Sequence, residues 1–141
     1  LKHFREAWPT DVPLSVELRH TDWYMDPTMA DELNDMLAQN KVCHTITDTA
    51  GRRDILHMRL TNNQCFIRFT GANHPSDVDR LDEWFERFTE WKEQGIEQIN
   101  IFIHQNVEKD LQMLSARLAE RINKEWGYNL TIPGGEQGSL F

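Results

Sequence analysis

The chain has 141 residues, 39% hydrophobic and 27% charged, a composition that fits one globular unit with a core of ordinary size. Its formal net charge of −8 argues against a direct nucleic-acid binder, which needs a basic stripe or patch. No apolar run approaches the roughly 20 residues of a membrane-spanning helix, and no signal-peptide pattern opens the chain.

Leu1 to Trp8 is helix-like and begins without a start signal, so the chain is expected to be a segment of a longer one. Leu14 to Arg19 alternates apolar and polar residues with period two, which predicts a strand. A loop through His20, Trp23 and Pro27 leads to a predicted helix over Thr28 to Asn40, with Met29, Leu33, Met36 and Leu37 on one side. Strand two spans Val42 to Asp48. After a loop at 50–53 and a short element of unclear type over Ile55 to Leu60, strand three runs from Cys65 to Thr70.

A helix over Ser76 to Glu93 follows, with Ser76 and Asp79 resembling a capping box and Leu81, Trp84, Phe85, Phe88 and Trp91 as its apolar face. That aromatic stripe reads as core packing. Strand four is Gln98 to His104, and a last helix over about Val107 to Trp126 would bury Leu111, Leu114, Leu118 and Ile122, with Gly127 as its stop. Cys43 and Cys65 sit in apolar strand-like runs and read as buried free thiols, as expected of a cytoplasmic chain.

Strands alternating with helices imply parallel pairing, with the loops after the strands on one rim. One alternating row is polar on every strand: Ser15, Glu17, Arg19; His44, Ile46, Asp48; Phe66, Arg68, Thr70; Asn100, Phe102, His104. An open doubly wound sheet would be apolar on both faces. The pattern therefore favours α/β architecture in which parallel (β/α) units, about four strands and four helices, form half of a TIM-type barrel over 1–133, with a flexible tail at 134–141.

The run from Val16 to Trp23 resembles the Glu-x-Arg-His-x-x-Trp motif of the YecE-like bacterial family, also known as domain of unknown function 72. Phe66 to Gly71 is similar to its Tyr-Val-Arg-Leu-His-Gly strand, and Ile101 to Asn106 lies where it has a Phe-Asn-Asn strand end. Thr70 stands in place of the family's His, and His104-Gln105 in place of its Asn pair. The resemblance covers about Leu1 to Ile132 and implies the C-terminal half of a TIM-type barrel, strands five to eight. It implies a fold and a site but no settled reaction or cofactor.

Active sites of such barrels lie at the C-terminal rim. Glu17 and Asp48 are the candidate general bases there, and His20 and His104 the candidate acids or bases. Arg19 and Arg68 offer planar forks to a carboxylate or phosphate, Trp23 a stacking wall, and Gly71 a close backbone approach. The competing reading is structural: Glu17 with Arg68, and Asp48 with Arg19, as neutralising pairs. Arg52 and Arg53 read as a solvated loop. No His-x-His or His-Glu-x-x-His spacing supports a metal.

Two functions follow. The first is a barrel protein binding a small anionic ligand, as a hydrolase or lyase. The second is an accessory protein recruited to the bacterial sliding clamp, because Gln137-Gly138-Ser139-Leu140-Phe141 resembles the clamp-binding peptide Gln-Leu-Ser/Asp-Leu-Phe. Gln137, Leu140 and Phe141 would make that contact. A half barrel would leave two strand edges unpaired, so a homodimer through those edges is also expected.

Overall fold

The computed structural model describes residues 2–9 and 11–133. The chain order is α1 (Lys2–Ala7), β1 (Ser15–Val16), α2 (Asp22–Met25), α3 (Pro27–Gln39), β2 (Cys43–His44), β3 (Ile46–Thr49), a 3-10 turn (Arg53–Ile55), β4 (Gln64–Gly71), α4 (Ser76–Glu93), β5 (Gln98–Gln105) and α5 (Leu111–Trp126). The fold is α/β with parallel strands. β1 pairs with β2 in parallel, Ser15 opposite Cys43 and Val16 opposite His44, and a second ladder has the order β3-β4-β5. Predicted strand two is thus one extended run broken at Thr45, pairing with β1 before the break and with β4 after it. Among the described residues no helix is long and apolar enough to cross a membrane.

Two compact units divide the chain. The first comprises Leu1–Phe69 and Gly95–Phe102, the second Thr70–Gln94 and Ile103–Phe141.

In the first unit α3 starts where the sequence places it. Asp26 caps it by accepting the Thr28 N–H at 2.9 Å, and Pro27 opens the first turn. Its buried face is Ala30, Leu33 and Leu37, while Met29, expected inside, is exposed. Leu33, Leu37 and Val42 form a cluster against which Leu14, Val16, Leu18 and Met36 pack. The helix ends in a Schellman arrangement, Lys41 N–H to Ala38 O at 3.0 Å and Val42 N–H to Leu37 O at 2.9 Å, with Lys41 left-handed at φ 55°. The loop expected through Trp23 contains the short helix α2.

β4 alternates strictly, with Cys65, Ile67, Phe69 and Gly71 buried and Phe66, Arg68 and Thr70 partly exposed, as the sequence pattern implies. The preceding run breaks that pattern, because every residue from Val42 to Asp48 is buried. Its expected register is off by one. Ser15 Oγ lies 2.6 Å from Thr45 Oγ1, and Thr47 Oγ1 donates to Glu17 at 3.0 Å. Thr45 and Thr47 therefore share the polar row, and His44, Ile46 and Asp48 face the other way. A one-residue slip exchanges the two faces of a strand, and where both faces are buried hydrophobicity cannot choose between them. Cys43 and Cys65 are buried free thiols, both pushed up by burial.

In the second unit α4 has the predicted bounds and buries the predicted aromatic face. Its cap differs from expectation: Pro75 is the N-cap and no side chain caps it, so Ser76 and Asp79 form no capping box. α5 begins at Leu111 rather than Val107, buries Leu114, Leu118 and Ala119, and stops at Gly127 with φ 71°. Arg117 and Arg121 on α5 reach Asp82 on α4, at 2.6 and 3.5 Å, and Arg121 also pairs with Glu86 and lies 4.0 Å over the Phe85 ring.

Candidate functional site

The polar row of the first unit converges on Glu17, in the segment following β1. Arg19 grips its carboxylate with two hydrogen bonds, Nε to Oε1 at 2.9 Å and Nη2 to Oε2 at 3.1 Å. Thr47 from β3 donates to Oε1, and Arg68 Nη1 from β4 reaches the same oxygen at 3.4 Å. The expected Glu17–Arg68 pair is therefore present. The side chains of Glu17 and Arg68 are 22% and 34% exposed, so the group is open to a ligand while partly desolvated. Burial pushes the Glu17 carboxyl up, but the Arg19 and Thr47 donors and the charges of Arg19 and Arg68 together hold it below its ordinary value. A carboxylate held this way is a weak proton acceptor at neutral pH. Its chemistry is to orient guanidinium groups.

Asp48 lies on the opposite row, its side chain 3% exposed, and Arg53 Nη1 donates to it at 2.9 Å. Arg19 is not its partner; Arg53 is, from an exposed turn as expected, its own side chain 56% exposed. His20 projects into solvent, 71% exposed, beside Asp22 at 3.3 Å, and Trp23 on α2 is exposed. Of the expected set within this unit, Glu17, Arg19 and Arg68 are brought together. Asp48, His20 and Trp23 are not in hydrogen-bond contact with them. Gln137, Leu140 and Phe141 lie outside the described residues. Among the described residues no group of three or more His, Cys, Asp or Glu is arranged to hold a metal ion.

Behind His44 lies a buried polar chain that sequence reasoning missed. Asn34 Nδ2 donates to Ala30 O, which turns its Oδ1 toward His44 Nδ1 at 2.9 Å. His44 Nδ1 is thus the protonated nitrogen, and Nε2 faces the Tyr24 hydroxyl at 3.3 Å. Tyr24 donates to Leu18 O at 2.7 Å. His57 stacks on His44 with ring centroids 4.0 Å apart. Its Nδ1 accepts the Arg59 N–H at 3.3 Å, so Nε2 carries the proton and donates to Thr45 O at 3.2 Å. Burial pushes His44 down to about 3 and His57 down to about 4, with the charge of Arg59 adding to both. Tyr24 is pushed up to about 12 by burial and by the Glu17 charge. Nothing in the local pattern around His57 marks it, since no regular period runs through 55–60.

In the second unit Asp77, 1% exposed, is the organising group. Its carboxylate accepts the backbone N–H of Ala72 at 2.8 Å, Asn73 at 2.9 Å and His74 at 3.4 Å, and the side chains of Gln105 at 3.4 Å and Arg80 at 3.3 Å. A Cβ on Gly71 would lie 2.5 Å from Asp77 Oδ2, so no side chain fits there. Gly71 makes room for this carboxylate, a job distinct from the ligand contact expected of it. Gln105 Oε1 accepts the Asp110 N–H at 3.0 Å, and Asn73 bonds Val107 through both its amide groups. The loops after β4 and β5 are thereby tied together around a cavity of about 250 Å³. His104 is partly exposed, 4.0 Å from Glu108.

Residues 1–135 match the sequence model of a family described as "Protein of unknown function DUF72". Two solved structures of a DUF72 family protein from Enterococcus faecalis V583 are similar, each with a TM-score of 0.68. One is 17% identical, covering 96% of this chain and 55% of that one; the other is 19% identical, covering 86% and 53%. This chain therefore spans about half the length of those proteins. No curated protein matches it.

Proposed function

The chain belongs to the DUF72 family, and on that footing we propose that it binds a small anionic ligand, a carboxylate or phosphate, at Arg19 and Arg68. One observation carries the reading: two guanidinium groups share one carboxylate, which leaves a local positive charge in a chain of net charge −8. Guanidinium forks match planar and tetrahedral oxyanions, and a partly desolvated position strengthens that attraction. Glu17 orients the forks and offsets one charge. A hydrolase or lyase step would draw its proton acceptor from another group; Asp48 faces the opposite row, which leaves the exposed His20 as this unit's candidate from the sequence.

Strand order that follows chain order, each strand run leading into a helix or helical turn, supports reading the chain as consecutive (β/α) units of half a TIM-type barrel. The match to about half of each solved relative agrees with that. The open polar row would then be the lumen face. Recruitment to a sliding clamp, and self-pairing through strand edges, rest on sequence pattern alone.

Isothermal titration with phosphate and with malonate tests the ligand reading. Losing a hydrogen bond to a charged group costs about tenfold to a hundredfold in affinity, and Arg68→Met should weaken binding by that much. Glu17→Gln retains an acceptor but removes the competing charge, so it should tighten binding. Arg68→Met titrating like the parent chain would overturn the proposal.

A further inference from the structure

A cavity of about 470 Å³ opens at the other ends of the strands in the first unit. Leu14 just before β1, Lys41 just before β2, and Asn62 and Gln64 at the start of β4 line it, together with Arg5 from α1 and Asp11. Cavities of this size hold small-molecule ligands. Arg5 is fixed by backbone carbonyls, its Nε donating to Asn40 O at 3.1 Å and its Nη1 to Trp8 O at 3.4 Å. Those bonds position the guanidinium without neutralising it. Among the described residues Lys41 has no ion-pair partner, and Asp11 is the one acid lining the cavity.

The backbone at Lys41 supplies a second and independent observation. Lys41 occupies the left-handed position that ends α3, with φ 55°, where a Cβ is strained and glycine is favoured. The chain does use glycine after its other two long helices, Gly95 at φ 99° and Gly127 at φ 71°. At α3 it has instead a lysine, and that residue lines the cavity. Strain kept where a strain-free residue would serve is a mark of function.

We propose that this cavity is a second anion site, taking a small phosphate- or carboxylate-bearing molecule whose charge sits on Arg5 and Lys41. It is independent of the Arg19–Arg68 reading, since Lys41 and Arg68 lie toward opposite ends of the parallel strands.

Two-dimensional amide NMR of the full chain, titrated with inorganic phosphate, tests it residue by residue. The Lys41, Asn62, Asn63 and Gln64 amides should shift saturably. Lys41→Gly should weaken that response at least tenfold while the melting temperature stays equal or rises. Lys41→Met, which keeps the strain and the aliphatic stem, should lose the response equally, and Arg68→Met should leave it unchanged. Amides in this set that stay still, or that saturate at the same phosphate concentration in Lys41→Gly, would overturn the proposal. A response confined to Glu17, Thr47 and Arg68 would support the first site and dismiss this one.

Discussion

Replacing Asp77 with alanine is expected to destabilise the protein by about 3–5 kcal/mol, the range for removing one member of a buried charged pair. The carboxylate serves three consecutive backbone N–H groups, those of Ala72, Asn73 and His74, and the side chains of Gln105 and Arg80. Alanine would take away the acceptor, itself 1% exposed, that all of those donors share, and a donor left without its partner costs more than its bond contributed. Asp77→Asn should cost less, because the remaining oxygen still accepts from one of the Ala72 and Asn73 N–H groups, while the amide NH2 opposes only the other. Burial pushes the Asp77 carboxyl up, and the Ala72, His74, Gln105 and Asn73 donors pull it down further, to a net value below the ordinary one. A depressed carboxyl stabilises fully above its unfolded value near pH 3.9, and that contribution is lost as pH falls through the folded value. Urea unfolding at neutral pH checks the substitution. A loss under about 1 kcal/mol would mean that the loops after β4 and β5 hold their shape without this carboxylate.

Stability should also fall steeply between pH 6.5 and 4, from a different part of the molecule. His44 and His57 bind a proton near pH 6.5 when unfolded and only near 3 and 4 when folded. Through that window the unfolded chain binds more protons than the native one, so acid favours unfolding. Each histidine contributes a slope of up to about 1.4 kcal/mol per pH unit. His57, which is only half-buried, should fall short of that limit. The geometry gives the reason for the shifts. A proton on His57 Nδ1 would point at the Arg59 N–H, and a second charge on either ring would face its stacked partner at 4.0 Å. The charged groups facing the stack are Arg59, itself paired with Asp31, and Glu17 beyond Tyr24. Urea midpoints measured from pH 7.5 to 4.5 should decline, and His44→Gln should flatten the curve by about one histidine's share. A flat profile in the parent chain would refute the account of this stack.

The parts of the fold legible in the sequence are those where one signal dominates. α4 has its predicted bounds because five large apolar residues recur at helical spacing, and β4 keeps its parity because Gln64, Arg68 and Thr70 all fall on one row, with Phe66 the single apolar member of it. From these two elements and the segment after β1, the meeting of Glu17 with Arg68 could be anticipated. The run from Val42 to Asp48 defeated the same logic. It is buried on both faces by a mixture of Thr, His and Asp, so the pattern held no information on parity, and Asp48 was assigned to the wrong row. Arg53 is exposed as its sequence context implies, and its pairing with Asp48 becomes visible only once that row is turned. Asp77 was hidden inside a helix start that also offered Ser76 and Asp79, and only coordinates reveal which acid turns back to the loop. Tyr24, Asn34, His44 and His57 come from four separate stretches, none with a motif, and tertiary packing alone assembles them.

The anion site at Arg19 and Arg68 is the central claim, and crystals of the protein soaked in selenate test it most directly. Anomalous density is predicted between the two guanidinium groups, within hydrogen-bond distance of Arg68, with Glu17 still held by Arg19. Selenate absent from that position at saturating concentration, with Arg68 remaining on Glu17 alone, would mean that these residues form a neutralising pair and bind nothing.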